Sequence, residues 1–195
     1  MPSNIAIFAS GNGSNAQAII EYFKGRDDIN VDLIASNRAE AGVLQRAEKE
    51  GIEAVILNKT NFPDTENLIA YLRERNIELI ILAGYLKLIP SKLIEAFPNQ
   101  IINIHPALLP KYGGKGMYGI NVHRAVKAQN EKESGITIHF VNEHYDEGEH
   151  ILQEKVEILP NDSPEEIASK VLKLEHYHFP RVIDKLLTDV RKSDN

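Results

Sequence analysis

Apolar positions in the first half of the chain fall into short, nearly unbroken runs rich in Ile, Val and Leu. Between the runs lie longer stretches in which apolar residues recur every three or four positions. Runs of the first kind predict strands at Ile5 to Ala9, Val31 to Ala35, Ala54 to Leu57, Leu79 to Ala83 and Ile101 to Ile104. They lack the strict apolar–polar alternation of a half-exposed sheet, and a strand needs such continuous apolarity when helices cover both faces. The intervening stretches predict helices at Ala16 to Phe23, Ala41 to Glu50, Thr65 to Arg75 and Ser91 to Phe97. Strand and helix alternating in this way is the mark of βαβ units built on a parallel sheet.

The rhythm changes after Ile104. His105 to Gly119 contains two prolines and four glycines and reads as a long loop. A helix is expected at Asn121 to Gln129, then a strand at Gly135 to Val141, a polar loop at Asn142 to His150 and a strand at Ile151 to Ile158. In the first of these strands Ile136, Ile138 and Phe140 share one face, and Thr137 and His139 the other. Ser163-Pro164-Glu165-Glu166 offers a capping hydroxyl, proline at the first helical position and acids in the first turn. The helix it opens is expected to run toward Leu187 with a break before Pro180, leaving Asp189 to Asn195 as a frayed tail. With no repeat, low-complexity tract or linker, residues 1–195 read as a single α/β domain, long enough to bury about 70% of the surface of its unfolded chain.

Composition removes several classes of function. Zero cysteines exclude disulfide frameworks, thiolate metal sites and thiol nucleophiles, and fit a cytoplasmic location. A net charge of -6 and a pI of about 5.7 argue against a general nucleic-acid partner. The longest apolar run, Leu79 to Leu86, falls well short of the roughly 20 residues of a membrane span, and Met1-Pro2-Ser3-Asn4 has no basic residue to open a signal peptide.

Three segments carry candidate chemistry. Ser10-Gly11-Asn12-Gly13-Ser14-Asn15-Ala16 is a glycine turn between the first strand and the first helix, where backbone N–H groups and the helix dipole favour an anion such as a phosphate. It also satisfies G-x-G-x-x-A, the relaxed dinucleotide fingerprint. An NAD enzyme, however, places an acid about 20 residues on, where this chain has Ser36-Asn37-Arg38; an NADP reading that uses Arg38 stays open. Asn103-Ile104-His105-Pro106 ends the fifth strand, where open α/β sheets hold their ligands. Asn103 and His105, two apart, face one site together, and an imidazole beside an amide donor suits acyl transfer, in which a proton moves and an oxyanion forms. Asp146, in the loop after the strand of His139, is placed to orient an imidazole or a water; with two other acids in that loop, a solvated turn is the competing reading. His139, His144, His150, His176 and His178 lack metal-ligand spacing, so no metal is expected.

Four segments occur in order: Ser10-Gly11-Asn12-Gly13-Ser14-Asn15, Leu82-Ala83-Gly84-Tyr85, Asn103-Ile104-His105-Pro106-Ala107-Leu108-Leu109-Pro110, and Gly135 to Val141 followed by Asp146. Together they closely resemble the glycinamide ribonucleotide branch of the formyltransferase superfamily, over essentially the whole chain. The resemblance implies a mostly parallel seven-stranded sheet of nucleotide-binding type with helices on both faces. It implies transfer of a formyl group from 10-formyltetrahydrofolate to the amine of glycinamide ribonucleotide in purine biosynthesis, with Asn103, His105 and Asp146 catalytic. The phosphoribosyl amine would bind at Gly11, Asn12, Gly13, Ser14, Asn15 and Glu175. The folate would bind at Leu86, Lys87, Leu88, Ile89, Asn103 and Val141, with Thr137 and His139 in support. No metal or nicotinamide would be needed, both substrates would be small molecules, and the enzyme would be a monomer or weak homodimer. Relatives that formylate methionyl-tRNA carry a further C-terminal domain, which length and acidity disfavour here, and the formyltetrahydrofolate hydrolases an N-terminal one, for which no extension is expected before the first strand. Two departures affect loop geometry: Lys111 to Gly119 is longer than in many relatives, and Lys87 stands where some have Arg.

Overall fold

The computed structural model describes residues 2–193, with side chains described as far as residue 189. The elements follow as β1 (Ser3–Phe8), α1 (Ser14–Phe23), β2 (Ile29–Ser36), α2 (Gly42–Glu50), β3 (Glu53–Ile56), α3 (Thr65–Glu74), β4 (Ile77–Leu82), α4 (Ser91–Ala96), β5 (Ile101–His105), α5 (Ile120–Ala128), β6 (Glu133–Phe140), β7 (His150–Glu157) and α6 (Pro164–Ser193). One sheet of seven strands runs in the order β3-β2-β1-β4-β5-β6-β7. The first five in that order pair in parallel, and β6 and β7 turn back antiparallel.

Continuous apolarity in the central strands feeds two separate cores. Ile5, Ile7 and Ala9 point with Leu79, Ile81, Ile102 and Ile104 into a core closed by α1, α2, α5 and α6. Ala6 and Phe8 point with Ile80, Leu82 and Ile101 into a second core closed by α3 and α4. Successive apolar residues of these central strands therefore bury their side chains under one layer of helices and then the other, as the period of two requires.

Local chemistry starts the helices. Asp64 caps α3 by accepting from the Asn67 N–H at 2.9 Å. Ser163 and Glu166 form a reciprocal capping box before α6, with the Glu166 N–H donating to Ser163 Oγ at 3.2 Å and the Ser163 N–H to Glu166 Oε2 at 2.7 Å. The expected break before Pro180 does not occur: α6 continues through it to Ser193. Pro180 removes one backbone hydrogen bond, but Phe179, Ile183 and Leu187 on either side are buried in the larger core and hold the helix against it. Of the tail expected over Asp189 to Asn195, residues 189–193 belong to α6, and 194 and 195 lie outside the described residues. No helix among the described residues is long and apolar enough to cross a membrane.

The direction of strand progression reverses between β1 and β4, and the loops leaving their C-terminal ends part there to open a crevice. The antiparallel return of β6 sets His139 opposite Asn103 and Thr137 opposite His105.

Candidate active site

A cavity of about 860 Å³ opens at the C-terminal ends of β4 and β5. Asn103, His105 and His139 come to its wall because residues two apart on a strand share a face and β6 is in register with β5. Asp146 reaches the same point from the β6–β7 loop, in a backbone conformation with φ of 59° that few side chains other than Asp and Asn tolerate. Its Oδ1 lies 3.3 Å from Asn103 Nδ2 and 3.4 Å from His105 Nδ1, and its Oδ2 accepts the Gly114 N–H at 2.9 Å.

Partners fix the hydrogens. His139 Nδ1 lies 2.8 Å from the Phe140 carbonyl, which only accepts, so Nδ1 carries the proton; in the neutral ring Nε2 then accepts from Asn103 Nδ2 at 3.1 Å. Both amide hydrogens of Asn103 are thereby engaged, one on His139 and one on Asp146. His105 Nε2 lies 2.8 Å from the Tyr112 carbonyl and Nδ1 faces the Asp146 carboxylate, so both ring nitrogens meet acceptors, an arrangement that suits the imidazolium. Burial alone would raise the Asp146 carboxyl, but His105, the adjacent His139 and the Gly114 N–H hold it well below the usual carboxylate range.

Also lining the cavity, Asn15 in the first turn of α1 donates from Nδ2 to Glu175 Oε2 of α6 at 2.8 Å. Burial pushes the Glu175 carboxyl up, with the Asn15 hydrogen bond and the charge on His105 acting the other way. Gly13 caps α1 with φ of 75° and no side-chain cap, so no side chain competes for the first-turn N–H groups. A Cβ at Gly13 would stand 2.5 Å from Val43 Cγ2 of α2, so glycine is required here for packing as well as for its dihedral angle.

Of the residues singled out in the sequence, Asn103, His105, Asp146, Leu86, Lys87, Leu88, Ile89, Val141, Asn15, Glu175 and His139 all line the cavity. Gly11, Asn12, Gly13 and Ser14 do not; they form the turn at whose end Asn15 stands. Thr137 is fully buried behind the wall, where its hydroxyl donates to the Ala107 carbonyl at 2.7 Å and accepts the Leu109 N–H at 3.0 Å, shaping the start of the long loop. Ser36 and Arg38 lie away from the cavity, and Asn37 is hydrogen-bonded to Ser10. Among the described residues no group of His, Asp and Glu side chains is arranged to hold a metal ion.

Sequence reasoning missed four contributors. Arg46 of α2 donates from Nε to the Asn12 carbonyl at 2.6 Å and brings a cation to the glycine turn, but in sequence it is one charge on an amphipathic helix. The Tyr112 carbonyl and the Gly114 N–H are backbone groups, invisible in any side-chain pattern. His123 lines the cavity from α5 yet sits beside Val122 and near Val126, in what reads as a core-facing stripe.

Residues 3–183 match the formyl transferase family. The chain is 43% identical over 185 residues to the chloroplastic phosphoribosylglycinamide formyltransferase of Arabidopsis thaliana, covering 92% of this chain and 63% of that one. It therefore spans less than two thirds of the plant relative's length. To the phosphoribosylglycinamide formyltransferase of Haemophilus influenzae it is 38% identical, covering 98% of this chain and 91% of the relative. The crystal structure of glycinamide ribonucleotide transformylase 1 from Symbiobacterium toebii superposes with a TM-score of 0.86 at 33% identity, covering 96% of this chain and 89% of that one. On these similarities the chain belongs to the phosphoribosylglycinamide formyltransferases of the formyl transferase family.

Proposed function

We propose that the chain transfers the formyl group of 10-formyltetrahydrofolate to the primary amine of glycinamide ribonucleotide. The observation that carries this reading is the meeting of Asn103 and His105 at Asp146, on the wall of a cavity large enough for two small substrates and faced by the Asn15–Glu175 pair. Leu86, Leu88, Ile89 and Val141 give one end an apolar surface suited to a flat bicyclic ring. The turn Gly11 to Asn15, with Arg46 beside it, gives the amine substrate's phosphate backbone donors and a cation.

The amine attacks as a neutral nucleophile. Its nitrogen forms a bond to the formyl carbon, whose oxygen takes the electron pair and becomes an oxyanion. On collapse the oxyanion's pair re-forms the carbonyl, the bonding pair of the carbon–nitrogen bond leaves with the folate nitrogen, and that nitrogen gains a proton as the amine loses one. His105 and Asn103 are the donors for the oxyanion. The His105 Nε2 hydrogen now rests on the neutral Tyr112 carbonyl and the second Asn103 hydrogen on a 3.3 Å contact with Asp146. A neutral formyl oxygen competes poorly for them, whereas the oxyanion is a stronger acceptor than a carbonyl. The stabilisation is thus concentrated in the transition state. Asp146 faces His105 Nδ1 and orients the ring so that Nε2 can donate. Glu175 faces the amine end and positions it.

Formation of tetrahydrofolate with both substrates present, beside a control without amine, tests the reading. Product that depends on the amine supports transfer, and equal product without it would assign the chain a hydrolase activity instead. The enzyme is further proposed to act without nicotinamide or metal, as a cytoplasmic monomer or weak homodimer; mass measurement in solution checks the last point.

A further inference from the structure

Among the described residues the buried side-chain atoms without a hydrogen-bond partner are Asn15 Oδ1, His123 Nδ1, Ser134 Oγ and His176 Nε2. Buried polar groups in folded proteins are nearly always paired, so each exception invites an explanation. Asn15 and His123 belong to residues that line the large cavity.

His123 is 5% exposed and follows the loop that closes over Asp146. Burial, and then the charge of nearby His105, push its pKa down to about 4, so the ring is neutral near pH 7. A neutral imidazole has one N–H and one lone pair. Orphaned buried N–H groups are rarer than under-used acceptors, which leaves the bare lone pair on Nδ1 and the hydrogen on Nε2. Nε2 is not among the buried unpartnered atoms, and among the described residues it has no hydrogen-bond partner, so it belongs to the edge of the ring that lines the cavity. His123 thus presents a neutral, pre-positioned N–H to whatever fills that end.

Its neighbours identify the end. α5 packs against α6, the helix that carries Glu175, whereas the apolar folate surface comes from the segment after β4 and the loop after β6. Resting on the function proposed above, we propose that His123 is a substrate-binding residue for the amine substrate, donating its Nε2 hydrogen to the glycinamide carbonyl oxygen beside the attacking amine. With Glu175 holding the amine and His123 the carbonyl two bonds away, the nucleophile would be gripped at two points and its direction of attack fixed.

Three variants test this, because glutamine places an amide nitrogen near the position of Nε2 and asparagine near that of Nδ1. Steady-state kinetics varying each substrate, calorimetric titration with glycinamide ribonucleotide and thermal melting would be run on the wild type and on His123→Ala, His123→Asn and His123→Gln. Loss of one neutral hydrogen bond predicts about a tenfold fall in kcat/KM for the amine substrate in His123→Ala, with a matching loss of affinity. The folate KM should stay within about twofold, His123→Gln should recover to within about threefold of wild type, and His123→Asn should not recover. Equal behaviour of the Asn and Gln variants, equal losses for both substrates, or an alanine variant as good as wild type would overturn the proposal. A wild type that transfers formyl while His123→Ala does so equally well sinks this inference alone. A wild type that neither binds nor formylates the amine substrate sinks the proposed function and this inference with it.

Discussion

Asp146 is the residue through which the others communicate: one oxygen faces Asn103 and His105 and the other is tied to the Gly114 backbone. Asp146→Asn would put an NH2 group against existing donors on one side or the other, disordering the cluster as well as removing its charge. We expect Asp146→Asn and His105→Ala each to lower kcat by at least about a hundredfold with modest change in KM, because their interactions strengthen in the transition state. Unchanged kcat with weakened binding in either variant would assign the residue to substrate binding. Asn103→Ala should raise the barrier by roughly 3 kcal/mol if its amide meets the oxyanion; a normal rate in a folded variant would leave Asn103 a bracket for His139 and Asp146. His123 yields a pH prediction. Its folded pKa of about 4 lies below the unfolded value of about 6.5. The unfolded chain therefore binds a proton first as pH falls, and stability fully present above pH 6.5 is lost progressively down to about pH 4. The loss should be of order 3 kcal/mol. Denaturant titrations at pH 7.5, 5.5 and 4.5 should show this decline, and His123→Gln should flatten it; identical slopes in the two proteins would remove His123 as the cause.

At the level of elements, the glycine turn and α1 form one device and the β5–β6 pair another. Gly11 has open space where a Cβ would be, whereas Gly13 meets Val43 and has positive φ. Gly13→Ala should therefore cost roughly 1–3 kcal/mol of stability. Gly11→Ala should fold normally and raise the KM of the phosphorylated substrate alone, so Gly11 is the better probe of phosphate binding. A folate KM that rises as much would move the turn's role elsewhere. Glu175→Gln keeps an acceptor for Asn15 but removes the charge offered to an amine, and should weaken use of glycinamide ribonucleotide while sparing folate affinity; an unchanged kcat/KM would reduce Glu175 to a strut between α1 and α6. Much of this was legible in the sequence. Unbroken apolar runs disclosed the doubly covered strands, and a two-residue spacing disclosed that Asn103 and His105 face together. What escaped was set by contacts distant along the chain. Pro180 reads locally as a breaker, and only burial of Phe179 and Ile183 overrides it. The grip of Tyr112 and Gly114 on His105 and Asp146 depends on how a glycine-rich loop folds back, which periodicity does not encode. Glu175 could be named from the family resemblance, but its partnership with Asn15, 160 positions away, appears only once α6 docks against α1.

Across the whole molecule the cavity is assembled from the ends of β4 and β5, the loops that follow β4, β5 and β6, Asn15 of α1, and one face each of α5 and α6. A ligand that bridges these parts stabilises only the folded chain. Glycinamide ribonucleotide at 100 times its Kd should contribute about 2.7 kcal/mol, which for a chain of this size corresponds to a rise in Tm of roughly 5–10 °C. NADPH at the same concentration should leave Tm unchanged, and a shift of similar size would revive the dinucleotide reading of the glycine turn. The loop between β5 and α5 differs from these shared parts in the way it is anchored. β5 ends at His105, α5 is seated in the core by Val122 and Val126, and between them Gly114 alone touches Asp146 through its N–H, with Gly113 slim enough to pass over the Asp146 Cβ. Residues 115–119 are therefore a cassette at the cavity mouth, hung between a fixed clasp and a fixed helix and steadied by Met117, which packs against the larger core. For enzyme engineering, this is where segments of other lengths and charges could be exchanged to retune which amines enter, while the clasp keeps the cluster beneath it in place.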